Sequence, residues 1–172
     1  MNRDFPTVDA DEKAMLTQFL DFHRATLLWK LDGLSKPQLD KLSVSTSTLT
    51  LAGLIKHLAL VEDDWFQSVF LGLDLPEPWA SAPFDHDKDW DFNSAADDSM
   101  DELIALYESA CRRSRAVVAE ASSLDCRSAR HVQATQEPYT LRWIILHMIE
   151  ESARHNGHAD LLREAIDGSV GE

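Results

Sequence analysis

The sequence predicts an all-α protein, a four-helix bundle with two long connections, and three observations carry that expectation. Four segments place apolar residues at helical spacing, each begins at a recognisable start signal, and no segment shows the pattern of a strand. The first helix is expected from Asp11 to Leu31, with Met15, Phe19, Phe22, Leu27 and Leu31 apolar and Gly33 ending it. Ser35 as a cap and Pro37 near the first helical position then predict a short turn of helix from Pro37 to Leu42.

After the polar run Ser43 to Thr48, Thr50 caps a second long helix. That helix carries Leu51, Leu54, Leu58, Val61, Trp65 and Val69 and stops at Gly72. The stretch from Leu73 to Asp98 holds Pro76, Pro78 and Pro83 together with Trp79, Phe84, Trp90 and Phe92. A connection this long in a compact domain usually serves function, and its aromatic residues predict an ordered wall. Ser99-Met100-Asp101-Glu102 reads as a capping box, from which Leu103, Leu106, Tyr107, Cys111 and Val117 carry a third helix to Ala121. A polar linker runs from Ser122 to Tyr139; Thr140 then caps a fourth helix, Leu141 to Ile166, and Gly168 takes the C-terminal glycine position.

A length of 172 residues suits one domain spanning 1–172. No apolar run approaches the ~20 residues that span a bilayer, and neither anchor nor signal peptide is legible, so the expected location is the cytoplasm with no membrane partner. The net charge of −14 repels phosphate backbones and argues against nucleic acid as a partner. Arg112, Arg113 and Arg115 read as a solvated helix face rather than an anion site. Cys111 and Cys126 make no disulfide framework and lack metal-ligand spacing. Cys111 is expected in the core, and Cys126 in a loop without an obvious activator.

The chemistry concentrates in the run from His147 to His158. Residues four apart on a helix share a face, about 6 Å apart in rise, so His147, Glu151 and His155 form one stripe. Adjacent members of that stripe can ligate one metal ion, and His57, among Leu54, Leu58 and Val61 on the second helix, is the candidate third ligand. Against this, Glu and His four apart are an ordinary surface pair worth a few tenths of a kcal/mol, and a histidine on an apolar face is usually a core residue. Burial decides between the two readings: a buried Glu151 carboxylate without a cation would cost several kcal/mol, which a metal ion offsets.

Two imidazoles and a carboxylate suit zinc with a position open for water or substrate, while nickel or iron(II) accepts the same donors. A carboxylate-bridged di-iron bundle is discarded, because it needs Glu-x-x-His on two helices and the chain contains none. Asp64, seven residues past His57, can orient that imidazole, and His147 and His158 are further candidates to support the ligands. His23 is expected to be a core histidine. Gly157 costs a helix about 1 kcal/mol against Ala and is expected to mark a close approach.

Three runs carry a resemblance to a known family. They are Phe22-His23-Arg24-Ala25-Thr26-Leu27-Leu28-Trp29-Lys30-Leu31-Asp32-Gly33-Leu34, Leu54-Ile55-Lys56-His57-Leu58 followed by Val61-Glu62 and Trp65-Phe66, and Arg154-His155-Asn156-Gly157-His158-Ala159-Asp160-Leu161-Leu162-Arg163-Glu164 with Ile166-Asp167-Gly168. With these the chain resembles the DinB/YfiT-like superfamily of metal-binding four-helix proteins, in particular its actinobacterial mycothiol-dependent S-transferase branch. The resemblance implies a metal held by one histidine of the second helix and two residues four apart on the last, here His57, Glu151 and His155. Many members have histidine at the place of Glu151, and the thiol-dependent ones resemble this chain in using glutamate.

The implied activity is a metal-dependent thiol S-transfer, in which a low-molecular-weight thiol such as mycothiol attacks an electrophile. A cation beside sulfur favours the thiolate by lowering the thiol pKa below about 8.5. Trp79, Trp90, Tyr139 and Trp143 are the expected pocket walls, and a homodimer is implied by the family's habit. The alternatives are a metal-assisted hydrolase with a metal-bound water and a non-enzymatic metal-binding protein.

Overall fold

A computed structural model describes residues 3–131 and 136–171. The architecture is all-α, as the apolar patterning predicts, and the caps fall where the sequence signals them. Helix α1 spans Glu12–Leu31, opened by the Asp11 carboxylate accepting from the backbone N–H of Ala14. The short α2, Lys36–Leu39, starts where the Gln38 side chain accepts from the Ser35 N–H at 2.9 Å. Helix α3, Leu51–Asp63, begins at Thr50, whose hydroxyl accepts from the Gly53 N–H.

The long connection that follows is ordered by single helical turns, Trp79–Ser81 and Ser94–Asp97, and by the short α4, Trp90–Asn93. Ser99 and Glu102 form the reciprocal capping box of α5, Met100–Glu120. Helix α6, Leu141–Asp167, opens on the Thr140 hydroxyl and closes on Gly168, whose φ of 81° is the left-handed conformation that glycine adopts without cost.

Helix α2 starts one residue before Pro37 and ends at Leu39 rather than Leu42, and two larger features depart from the expected pattern. The second long helix is not continuous to Gly72: α-helical winding stops at Asp63 and Asp64–Phe70 continues as a π-helix. A spacing of four, as between Trp65 and Val69, fits either winding over so short a run, so periodicity does not separate them. The second is a ribbon where no strand was expected: β1, Arg127–His131, pairs antiparallel with β2, Pro138–Thr140. Four of the five β1 residues are exposed, so its pairing rests on the backbone and leaves no apolar alternation to read. Residues 132–135 of the expected linker lie outside the described residues.

In the bundle α1 packs on α6, and α3 packs on both α5 and α6. One apolar cluster joins Leu27, Leu31, Leu54, Ile55, Leu58, Leu103 and Leu162, and another joins Leu20, Phe66, Val117, Ile144, Ile145 and Met148. Each such fully buried side chain contributes about 1.5–3 kcal/mol. Ten of the 13 residues of α3 are buried, Lys56, Glu62 and Asp63 among them, so this central helix carries charge into the core. Among the described residues no helix is long and apolar enough to cross a membrane.

Gly157 does not mark a close approach. A Cβ built there meets nothing within 4 Å, so packing gives no reason for glycine inside α6. Gly157→Ala is therefore expected to stabilise the fold by about 0.5–1 kcal/mol, through the lost backbone freedom of the unfolded chain. A thermal melt checks it, with a Tm rise of about 1–4 °C expected.

Candidate metal centre

Helices α3 and α6 bring His57, Glu151 and His155 together, with one ligand atom from each lying within 4.8 Å of the others. His57 Nε2 lies 3.6 Å from Glu151 Oε1, and His155 Nε2 lies 3.1 Å from the same oxygen. The two imidazoles meet edge to face, their centroids 4.9 Å apart. All three side chains are largely buried, at 19% exposure for His57, 14% for Glu151 and 10% for His155. The stripe on α6 thus faces inward at these two positions.

The electrostatics follow from that packing. Burial pushes the Glu151 carboxyl up, but the charge and hydrogen bond of His155, joined by those of His57, outweigh it and hold the group below the usual carboxylate range. Burial, with the neighbouring His57, holds the His155 imidazolium below its ordinary range against the pull of Glu151. At neutral pH Glu151 is therefore ionised and His155 neutral, the protonation states in which both can donate to a metal ion.

The outward nitrogens of both histidines are also engaged. His57 Nδ1 is 2.7 Å from Oδ2 of Asp91, a residue only 3% exposed, and the ring stacks on Phe92 at 4.4 Å. A Cβ at Gly53, one turn earlier on α3, would lie 3.1 Å from Phe92 Cδ1, so glycine lets that ring approach. His155 Nδ1 is 3.4 Å from Nδ1 of His158, which places His158 against that imidazole.

Other expected positions are occupied differently. Asp64 does not hold His57; it stands at the start of the π-helix, where burial raises its carboxyl and Ser68 and Arg130 act against that rise. Asp91, from the long connection, already occupies Nδ1 of the His57 imidazole. His147 lies outside the group of His57, Glu151 and His155, in an aromatic cluster, stacked on Trp143 at 5.2 Å and edge-on to Trp65 at 4.6 Å.

Tyr139 and Trp143 extend that cluster along the same side of α6, 4.6 Å apart, and Trp143 is 45% exposed. Trp79 is instead core, its indole N–H donated to Asp63 at 2.9 Å. Trp90 packs against Trp79 and Phe84, with the Lys56 ammonium 4.5 Å from its ring.

Sequence reasoning missed Asp91, and it misread Arg113. Asp91 is one acid among many in a loop, distant along the chain from the histidine it meets. Arg113 does not join a solvated face: it forks onto the buried Asp63 carboxylate at 2.8 and 2.7 Å. Cys111 is buried, which pushes its thiol far up, while hydrogen bonds from Ser122 and Ser123 lower that of Cys126. A cavity of about 620 Å³ opens between α1, α5 and residues 4–7 and shares no residue with the His57, Glu151 and His155 cluster.

The helical bundle, with two imidazoles and a carboxylate gathered from two of its long helices, is consistent with the DinB-like fold class. Within that class the match is specific: residues 15–168 fit the family model described as mycothiol-S-transferase, and the chain belongs to that family. No curated protein matches the chain.

The lowered imidazoles give a pH dependence with a definite sign. Burial lowers His155 and the half-buried His23 alike, so each binds protons less readily folded than unfolded. As pH falls through 6.5, the unfolded chain takes up protons that the folded one refuses, and stability of the metal-free protein declines. Glu151 adds to the loss at lower pH, because its carboxylate is stabilised in the fold. Urea unfolding between pH 8 and 5 is expected to show this decline, and His155→Ala is expected to flatten it.

Proposed function

We propose that the protein is a metal-dependent thiol S-transferase, in which His57, Glu151 and His155 hold one divalent ion, zinc, and a low-molecular-weight thiol such as mycothiol attacks an electrophile. The observation that carries this reading is the convergence of three donor atoms within 4.8 Å from helices distant in sequence. The donor set fits the ion, since two nitrogens and one oxygen are what catalytic zinc sites with an open position use. Bound there, the ion would supply the positive charge that stabilises a thiolate at neutral pH.

The chain's own residues do the rest. His57 and His155 present Nε2, because Asp91 and His158 meet their other nitrogens. Glu151 contributes a carboxylate already ionised at neutral pH. Trp143, earlier on the same stripe of α6, and Tyr139 of β2 form the wall against which the body of the thiol or the electrophile rests. The sulfur forms a bond to the electrophilic carbon, and the leaving group departs with the electron pair of the bond it gives up.

Elemental analysis and turnover test the reading together. Wild-type protein is expected to carry near-stoichiometric metal, with marked loss in His57→Ala and His155→Ala. The loaded protein is expected to conjugate a chromogenic electrophile faster with mycothiol than with bacillithiol or glutathione. Metal-dependent turnover without any thiol would move the reading to a hydrolase, and stoichiometric metal without turnover would move it to a binding protein. Trp143→Ala is expected to raise KM about tenfold while leaving metal content unchanged, as loss of an aromatic contact worth about 1.4 kcal/mol would.

A further inference from the structure

The geometry points to Asp91 as the positioning residue that presets His57 for metal, an inference that rests on the metal-site reading above. Asp91 sits on α4, in a connection rich in acids whose carboxylates have other uses. Asp87 accepts from the Asn93 amide, and Asp98 pairs with the Lys56 ammonium at 2.5 Å. Asp91 is buried at 3% exposure, and its Oδ2 lies 2.7 Å from His57 Nδ1. A carboxylate oxygen accepts, so in this contact the shared proton belongs to Nδ1 and the lone pair of His57 to Nε2. That is the nitrogen facing Glu151, at 3.6 Å.

The same connection fixes the plane of the ring as well as its tautomer. Phe92, the next residue, stacks on the imidazole with only 22° between the planes, and Gly53 leaves room for it. Lys56, adjacent to His57 on α3, holds the segment at two more points, through Asp98 and over the Trp90 ring. His57 is thereby clamped from outside α3, and the loop the sequence marks as a wall acts instead as a brace for one ligand. Removing such an outer partner typically weakens metal binding 10- to 100-fold.

Two measurements on the full chain test this. Zinc affinity is read by competition with a chromophoric chelator at pH 7.5 for wild type, Asp91→Asn, Asp91→Ala and, as a control in the same loop, Asp87→Asn. We expect Asp91→Ala to bind zinc about 10- to 100-fold more weakly, Asp91→Asn to fall between it and wild type, and Asp87→Asn to match wild type. The ring ¹⁵N shifts of His57 in metal-free protein supply the readout that a merely structural role would not move. They are expected to report Nδ1–H in wild type and a mixture of tautomers in Asp91→Ala.

Equal zinc affinity in wild type and a folded Asp91→Ala overturns the proposal, as does an Nε2–H tautomer in wild type. Should Asp91→Ala fail to fold, Asp91→Asn, of nearly the same volume, carries the affinity comparison, and wild-type affinity there overturns the proposal. Wild-type protein that takes up no zinc would overturn the metal site itself, while the tautomer still decides whether Asp91 positions His57.

Discussion

Helix α3 is buried along most of its length, and yet Lys56, His57, Glu62 and Asp63 all lie on it. A charge or a hydrogen-bonding group taken from water without a partner costs up to several kcal/mol, so each of these side chains must be met by another element. Glu62 receives the Arg24 guanidinium of α1 at 2.7 and 2.6 Å. Asp63 receives Arg113 of α5 and the indole of Trp79. Lys56 and His57 are met by Asp98 and Asp91 from the long connection. Such pairs add little net stability over apolar replacements, but losing one partner alone costs about 3–5 kcal/mol, so they specify how the elements sit around α3.

That constraint explains what the sequence revealed and what it concealed. The long helices were legible because their caps and apolar spacing are local, and the Glu151 and His155 stripe was legible for the same reason. The choice of His57 as a companion drew on its apolar neighbours and on the family resemblance, and its meeting with α6 is a tertiary fact. Asp91, Arg113 and Trp79 were misread or missed because their roles are set by partners from 16 to 50 residues away. A loop acid beside other acids, or one arginine among three, carries no local mark of the charge it will meet. The π-helix and the ribbon escaped for a different reason, since each rests on backbone hydrogen bonds that leave no distinct hydrophobic period.

The two sides of the candidate centre are built unlike each other. Glu151 and His155 come as a pair from one rigid helix, whose rise fixes their separation, and their hydrogen bond keeps them facing each other. His57 comes from α3, and its ring is met from outside that helix. Its orientation is supplied instead by Asp91 and Phe92, from a segment whose Trp79 and Ala95 join the apolar cluster of the bundle.

The stripe on α6 also sets a scale. Trp143, His147, Glu151 and His155 follow at intervals of four, so the exposed indole and the carboxylate are separated by two turns, about 12 Å of helix rise. On the S-transferase reading, one rigid rod then carries both the sulfur end of the site and an aromatic surface for the bulk of a bound molecule. Because both are anchored to α6, their separation cannot adjust independently. A long thiol can use the wall and the donors together, whereas a short one reaches only the donors, and that difference in reach is a physical basis for choosing among thiols that share the same reactive group.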